Sequence, residues 1–254
     1  AWLEMDYLKI GKNSWVQNIP IMHSLLSFVI SLLLVFRTNT AYDRWWEGRK
    51  LWGQLVNTSR NLALKLSGIL DNSDEDSRKF FRRTIPIYAF ALKEHLQSKI
   101  TLYMLDDKED EEIKPEIDPE KHVPNQVAKL MFAKVNDLYK GKKISGDQLI
   151  ILNSELMSFT DICGACERIK NTPIPYSYSS FIKKFILAYV LTLPLGYVFS
   201  LGYYADPMVT FIFYVLASLE LIAEEIEEPF GSDANDLPMG KLSINIQKHV
   251  EEVI

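Results

Sequence analysis

The sequence has few of the residues that build covalent or metal-bound frameworks. Its 254 residues include only two cysteines and four histidines. Cys163 and Cys166 form a single CxxC, without a second pair or a histidine at zinc-ligand spacing, so neither a disulfide framework nor a structural zinc site is expected. Redox chemistry is not expected either, because this CxxC lies in a stretch of helical character and not at a strand–helix junction.

Common catalytic and nucleotide-binding motifs are also missing. The chain has no GxGxxG, P-loop, HExxH or GxSxG pattern and no useful length of strand-like alternation. The histidines are scattered, which gives no support to a metal or catalytic cluster; they are His23, His95, His122 and His249. The sequence therefore predicts a protein that is not an enzyme and has no cofactor.

A surplus of positive charge is lacking as well. The chain has 28 basic and 33 acidic residues and a formal net charge of -5. A broad basic footprint for nucleic acid is therefore not expected. Acidic residues are concentrated between Asp106 and Lys121, in a run without apolar periodicity that predicts an exposed loop.

Three long apolar runs stand out from this charged background. The first, Ile19 to Phe36, has eighteen residues without a formal charge, near the lower limit for a helix that crosses a bilayer. The second, Phe185 to Tyr204, has twenty, and its internal proline predicts a kink and not an end. A turn is expected at Ala205-Asp206-Pro207. The third run, Met208 to Ala223, is interrupted only by Glu220, so the last two runs predict a helical hairpin.

Buried core helices of a soluble protein are the alternative explanation of these runs. The flanking charges favour a membrane, because Arg37, Arg44 and Arg49 follow the first run while Lys183 and Lys184 precede the second. Basic residues collect on the cytoplasmic side of membrane proteins. The sequence thus predicts a multi-pass membrane protein whose C-terminus is cytoplasmic.

The polar region between the first run and the hairpin has helical periodicity. It predicts a helix over 41–70 that a turn over 71–74 closes, and a second helix over 75–98 with a bend at Pro86. Two further helices are expected over 125–139 and 145–170.

Several motifs in this order resemble those of bacterial bestrophins. The longest is RTNTAYDRWWEGR over 37–49, followed by Leu51-Trp52-Gly53 and Asn57. Later matches are CER at 166–168, TPIPY at 172–176, EEIEEPFG at 224–231 and NDLP at 235–238. Bestrophins have four membrane helices and this sequence shows three, so the first is expected to be truncated here.

The resemblance implies an all-α homopentamer around a central pore in a bacterial plasma (inner) membrane. Its partners would be other copies of the chain, membrane lipid and permeant monovalent ions, which it would conduct passively, with no nucleic acid. The resemblance divides the chain into five segments. Residues 1–18 are the outer end of a truncated first helix with its loop, and residues 19–36 are a pore-lining helix. Residues 37–182 are a cytosolic helical region, residues 183–223 a transmembrane hairpin and residues 224–254 a cytosolic C-terminal segment.

A hydrophobic neck is expected in the first apolar run. Ser24, Phe28, Leu32 and Phe36 recur every four residues and so share one face of a helix. By the resemblance, Phe28, Leu32 and Phe36 fall where the family has three stacked rings that form its neck. Such a dry constriction gates by dewetting, because an ion does not shed its water cheaply among apolar side chains. Ordinary packing against lipid or another helix is the alternative.

A second constriction is expected at Ile174, which matches the cytosolic aperture of the family. Pro173 and Pro175 flank it and favour an extended, restricted backbone. An ordinary proline-rich linker is the alternative.

A calcium site is not expected. Eukaryotic relatives hold calcium with an acidic cluster after the Pro-Phe-Gly motif, but this chain has fewer carboxylates there. Calcium takes six to eight oxygen ligands, so Asp233, Asn235 and Asp236 are only weak candidates. The glutamates at 224, 225, 227 and 228 are instead expected to cap helices or pair with arginines at the membrane edge.

Selectivity is left open by the residues. The family label indicates chloride or other anions. Five copies at -5 would total about -25, and a negative vestibule concentrates cations, so a sodium-selective channel is the alternative. Two other classes are a non-conducting, membrane-anchored helical scaffold and a soluble helical binding protein.

Overall fold

A computed structural model describes residues 18–97, 117–118 and 120–254, and these residues are all-helical without a strand. The helices are α1 (Ile19–Ile69), α2 (Glu75–Leu96), α3 (Val123–Lys140), α4 (Gly146–Asn171), α5 (Tyr176–Leu201), α6 (Ala205–Glu227) and α7 (Met239–Val253). The predicted all-α fold is confirmed. The expected remnant of a first helix and most of the expected acidic loop lie outside the described residues.

α1 is longer than the apolar run that begins it. It extends over 51 residues and passes through Arg37 without a break, so the apolar segment and the polar helix after it are one helix. Between Ile21 and Glu47 the sequence has no proline or glycine, the residues that most often end a helix. The composition changes from apolar to polar at Arg37, but the secondary structure does not.

The chain divides into two compact units, Ala1–Trp45 with Pro173–Glu228 and Trp46–Thr172 with Pro229–Ile254. In the first unit the start of α1 packs with α5 around an apolar core, and α6 adds partly buried side chains to it. The buried members of this core are Ile30, Leu34, Ile182, Ile186, Tyr189, Val190 and Leu193. Gly196 permits close packing here, since a Cβ at that position would lie 3.0 Å from Cγ2 of Ile19.

α5 and α6 pack against each other and are joined by a short 3-10 turn, Gly202–Tyr204. The turn expected at Ala205-Asp206-Pro207 is therefore wrong, because these residues form the first turn of α6, where proline is tolerated. Gly202 makes the earlier turn possible: it has φ 56° and ψ -132°, a conformation that side chains disfavour. α5 continues through Pro194, as expected.

The second unit contains the remainder of α1 together with α2, α3, α4 and α7. α2 contacts α3, α4 and α7 and so lies at the centre of the unit. The hydroxyl of the buried Tyr88 donates to the backbone oxygen of Phe159 at 2.7 Å, which satisfies a polar group inside the core. α4 starts with a reciprocal capping box between Ser145 and Gln148. The predicted helices over 75–98, 125–139 and 145–170 match α2, α3 and α4 to within two residues.

The C-terminal helix α7 was not predicted from the sequence. Its buried residues, Met239, Ser243, Ile246 and Val250, follow the three- and four-residue spacing of one helical face. This pattern was readable in the sequence, but it is short and begins directly after Pro238.

Three helices among the described residues are long and apolar enough to cross a membrane: α1, α4 and the Tyr176–Val198 part of α5. α1 and α5 contain the first two apolar runs. α4 buries an apolar stripe from Leu152 to Ile169 inside the second unit, which accounts for its composition without a membrane. α6 is not one of the three, so its predicted membrane crossing stays a prediction.

Candidate functional site

The predicted neck residues lie on the exposed side of α1. Phe28, Leu32 and Phe36 are 66%, 41% and 60% exposed in the single chain. Ile30 and Leu34, between them in sequence, point the other way and are buried against α5. Three large apolar side chains in one helical row are therefore free to meet lipid, water or another copy of the chain.

The exposed apolar surface of α1 is wider than this row. It also includes Leu25, Val29 and Val35. A helix in a ring of subunits needs such a surface, because one sector faces the axis while others face neighbours or lipid. Exposure alone therefore does not single out the row at Phe28, Leu32 and Phe36, and its role as a neck stays a prediction that rests on its position before Arg37.

Hydroxyl groups on this part of α1 are satisfied within the helix. Ser24 donates to the backbone oxygen of Pro20 at 3.0 Å, and Ser31 donates to that of Ser27 at 2.7 Å. A hydroxyl bonded in this way needs no partner from outside the helix, which suits an apolar environment.

Arg37, directly after the predicted neck row (Phe28, Leu32 and Phe36), is buried in a cluster of charges. It is 1% exposed, and its Nη1 lies 2.7 Å from Oε2 of Glu227. Its Nε lies 3.5 Å from Oε1 of Glu220. Both glutamates belong to α6 and are themselves buried. Among the described residues neither arginine nitrogen makes a well-aligned hydrogen bond to these carboxylates, so the attraction is mainly between charges.

Ile174, the predicted aperture residue, is held by the same cluster. Its backbone N–H donates to Oε1 of Glu227 at 2.7 Å, so one carboxylate binds Arg37 with one oxygen and Ile174 with the other. Pro173 and Pro175 have no backbone N–H. Ile174 is therefore the one residue of the Pro-Ile-Pro segment whose backbone can donate a hydrogen bond, and Glu227 accepts it. Glu227 thereby connects Arg37, at the end of the predicted neck row, to Ile174 of the predicted aperture.

Glu227 and Glu220 were only partly foreseen. The expected pairing of the glutamates at 224–228 with arginines is confirmed for Glu227, while Glu224 instead pairs with Lys183 at 2.8 Å. Glu220 was seen only as an interruption of an apolar run. A lone acid in such a run is itself a signal, because a buried carboxylate needs a cationic partner.

The weak calcium candidates Asp233, Asn235 and Asp236 lie in the loop between α6 and α7. Oδ2 of Asp236 accepts the backbone N–H of Asp233 at 2.6 Å, and the N–H of Asp236 donates to the backbone oxygen of Asp233 at 3.1 Å. A Cβ on Gly231 would lie 2.6 Å from the same Oδ2. The carboxylate of Asp236 therefore stabilises its own loop.

The cysteines of the CxxC lie inside the second unit. Both are free and buried. Burial raises the pKa of Cys163 to about 12, and burial raises the pKa of Cys166 still further. The thiolate is the reactive form of cysteine, so the structure makes both side chains poor nucleophiles at neutral pH.

We expect neither cysteine to react with Ellman's reagent in the folded protein. At about pH 8, a thiol of pKa about 12 has roughly a thousandfold less thiolate than an exposed cysteine, and burial slows the reaction further. After unfolding in detergent both thiols should react within minutes. Labelling of the folded protein at the rate of free cysteine would contradict this prediction.

A second polar cluster, which the sequence did not reveal, lies in the second unit. His95 of α2, His122 at the start of α3 and Glu167 of α4 converge, although the chain separates them widely. Scattered positions in sequence thus became neighbours through packing of three helices.

Comparison with known proteins gives a consistent result. A family model described as Bacterial/Fungal Bestrophin protein matches residues 7–252. A voltage-dependent anion channel-forming protein of Nostoc sp. is 34% identical over 238 residues, covering 92% of this chain and 78% of that protein. A protein of the same description from Escherichia coli K12 is 31% identical over 222 residues, covering 85% and 70%. A solved bacterial bestrophin homologue from Klebsiella pneumoniae has a TM-score of 0.85 at 27% identity, covering 99% of this chain and 91% of that one.

Proposed function

This chain belongs to the bestrophin family, and we propose that it forms an anion channel in which five copies surround one pore in a bacterial inner membrane. The observation that carries the proposal is the row of exposed apolar side chains on α1, at Phe28, Leu32 and Phe36, in a chain of this family. The relatives described as anion channel-forming proteins support the sign of the permeant ion.

The row on α1 would form the neck of the pore. Five copies of each side chain would give three apolar rings, through which a hydrated ion passes only when the constriction is wet. Burial of Ile30 and Leu34 on the opposite side of α1 supports this orientation, since the helix then presents its remaining face to the axis and to neighbouring copies.

Ile174 would form the aperture at the cytosolic end. Its prolines restrict the backbone on both sides, and Glu227 holds its N–H. A side chain fixed in this way keeps a constant pore radius better than one on an unrestrained loop. The bond from Glu227 also makes the position of Ile174 depend on the buried Arg37.

The membrane placement follows the basic residues. Arg44 and Arg49 after the neck, with Lys183 and Lys184 before the second apolar run, would lie on the cytoplasmic side. The second unit and the C-terminus would then be cytosolic, with α5 and α6 as a membrane hairpin.

The proposal is tested by the reversal potential of the full-length protein in planar bilayers under a tenfold NaCl gradient. An anion channel should reverse near the chloride equilibrium potential, about 59 mV for ideal selectivity. Replacing chloride by a large organic anion should shift the reversal potential, whereas replacing sodium by a large organic cation should not.

Two outcomes would contradict the proposal. Reversal near the sodium potential would identify a cation channel, which the net charge of -5 per chain would then help to explain. Absence of current above that of protein-free bilayers would favour a membrane-anchored scaffold.

A further inference from the structure

His95, His122 and Glu167 meet at a single point in the second unit. Nε2 of His95 and Nε2 of His122 each lie 2.6 Å from Oε1 of Glu167. The two imidazole rings have centroids 4.4 Å apart and planes inclined by 43°. All three potential ligand atoms lie within 4.8 Å of one another.

These residues are the ligand types that zinc prefers. Zinc binds imidazole nitrogen and carboxylate oxygen at about 2.0–2.2 Å, and sites with three protein ligands keep a fourth position for water. In a tetrahedral site of this kind the ligand atoms lie about 3.3 Å apart. Each Nε2 would therefore have to move away from Oε1 of Glu167 by less than about 1 Å, which small side-chain rotations provide.

The cluster is open enough for an ion to enter. The side chains of His95, His122 and Glu167 are 31%, 31% and 28% exposed. Because the side chains are partly exposed, a water molecule can reach the fourth ligand position. Because they are also partly buried, their side chains have fewer conformations in which the ligand atoms lie apart. A site of this type is preorganised but reachable.

The charge around the cluster suits a cation. Oε1 of Glu167 lies against one ring nitrogen of each histidine, and this carboxylate is the acidic member of the three side chains. Of the nearby lysines, Lys170 donates to the backbone oxygen of His95 at 3.0 Å, and Lys93 pairs with Glu94 at 2.8 Å.

Metal binding would replace one existing contact. Nδ1 of His122 accepts the backbone N–H of Asn125 at 3.2 Å and so caps α3. Coordination through Nε2 places the ring proton on Nδ1, which ends this long hydrogen bond. Asn125 is an exposed residue of the first turn of α3, so its N–H can donate to water instead.

We propose that His95, His122 and Glu167 form a binding site for a zinc-class divalent metal ion that links α2, α3 and α4. This site does not depend on ion conduction. Its ligands come from α2, from the N-cap of α3 and from α4, so a bound metal ion cross-links the three helices and stabilises the folded state.

The test is a metal titration of the purified full-length protein after removal of metal by a chelator. Titration with Zn²⁺ should give one ion per chain, and Co²⁺ should give the intense visible absorption of a tetrahedral site, which Zn²⁺ then abolishes. Glu167→Gln and His95→Gln should each weaken Zn²⁺ binding at least tenfold. The matched control is His249→Gln, a histidine of the same unit that contacts Arg60 at 3.3 Å, and it should bind Zn²⁺ like the native protein.

Thermal unfolding keeps the test decisive if a variant folds poorly. Zn²⁺ should raise the melting temperature of the native protein and of His249→Gln, but not of Glu167→Gln. Absence of the tetrahedral Co²⁺ spectrum in the native protein would overturn the proposal. So would Zn²⁺ affinity that is equal in Glu167→Gln and the native protein.

Discussion

Replacing Arg37 by methionine is expected to destabilise the protein by about 3–5 kcal/mol. The change removes the cation from a buried cluster and leaves the carboxylates of Glu220 and Glu227 without their main counter-charge. Removal of one partner from a buried ion pair has this magnitude, because the remaining charge has lost its hydration and has no replacement. At about 2–4 °C per kcal/mol, the melting temperature in detergent should fall by about 6–20 °C, measured by tryptophan fluorescence.

Lys183→Met is the matched control. Lys183 also pairs with a glutamate of α6, Glu224, at 2.8 Å, but both side chains are about half exposed. An exposed pair contributes about 0–1 kcal/mol, so this variant should melt within a few degrees of the native protein. Equal melting temperatures for Arg37→Met and Lys183→Met would contradict the prediction, because the buried ion pair would then contribute no more to stability than the exposed one.

A further variant separates charge from packing. Adding Glu220→Gln and Glu227→Gln to Arg37→Met removes the uncompensated charges while keeping side chains of similar size. This combination should recover most of the lost stability, because the buried groups are then neutral. The amide oxygen that Glu227→Gln introduces could still accept the N–H of Ile174, so the aperture segment keeps its anchor.

The family and the general fold were predictable from the sequence for a physical reason. Membrane spans and helices leave local signals, such as the uncharged run from Ile19 to Phe36 and the capping residues of α4. The motif over 37–49 added the family, which the match over residues 7–252 confirms. Local patterns of this kind need no knowledge of which residues meet in space.

Contacts between distant residues could not be predicted in the same way. Arg37 and Glu227 lie on different helices, and so do His95, His122 and Glu167, and no local spacing brings them together. The sequence predicted the turn at Ala205-Asp206-Pro207, because these residues often form turns, but the turn lies at Gly202–Tyr204. Asp and Pro also suit the first turn of a helix, which is where the structure has them. Such alternatives are decided by packing and not by propensity.

Replacing Phe28, Leu32 and Phe36 together by alanine is expected to increase the current by about tenfold or more. Smaller side chains widen the proposed neck and let water fill it, which lowers the cost of moving a hydrated ion through. A tenfold increase needs a decrease of only about 1.4 kcal/mol in the barrier. The three side chains are exposed in the chain, so their truncation opens no cavity in its core and the variant should still fold.

The control is a second triple variant, in which Leu187, Leu191 and Leu195 of α5 are changed to alanine. These side chains are also exposed and have the same four-residue spacing, but they lie on a different helix from the predicted neck. Because the loss of apolar surface is similar in kind, a change in expression or insertion would affect both variants, whereas a wider pore is expected only for the first. Equal currents from the two variants and the native protein would mean that the row on α1 faces lipid or a neighbouring helix, and the narrowest part of the pore would then have to lie elsewhere, with Ile174 the next residue to test.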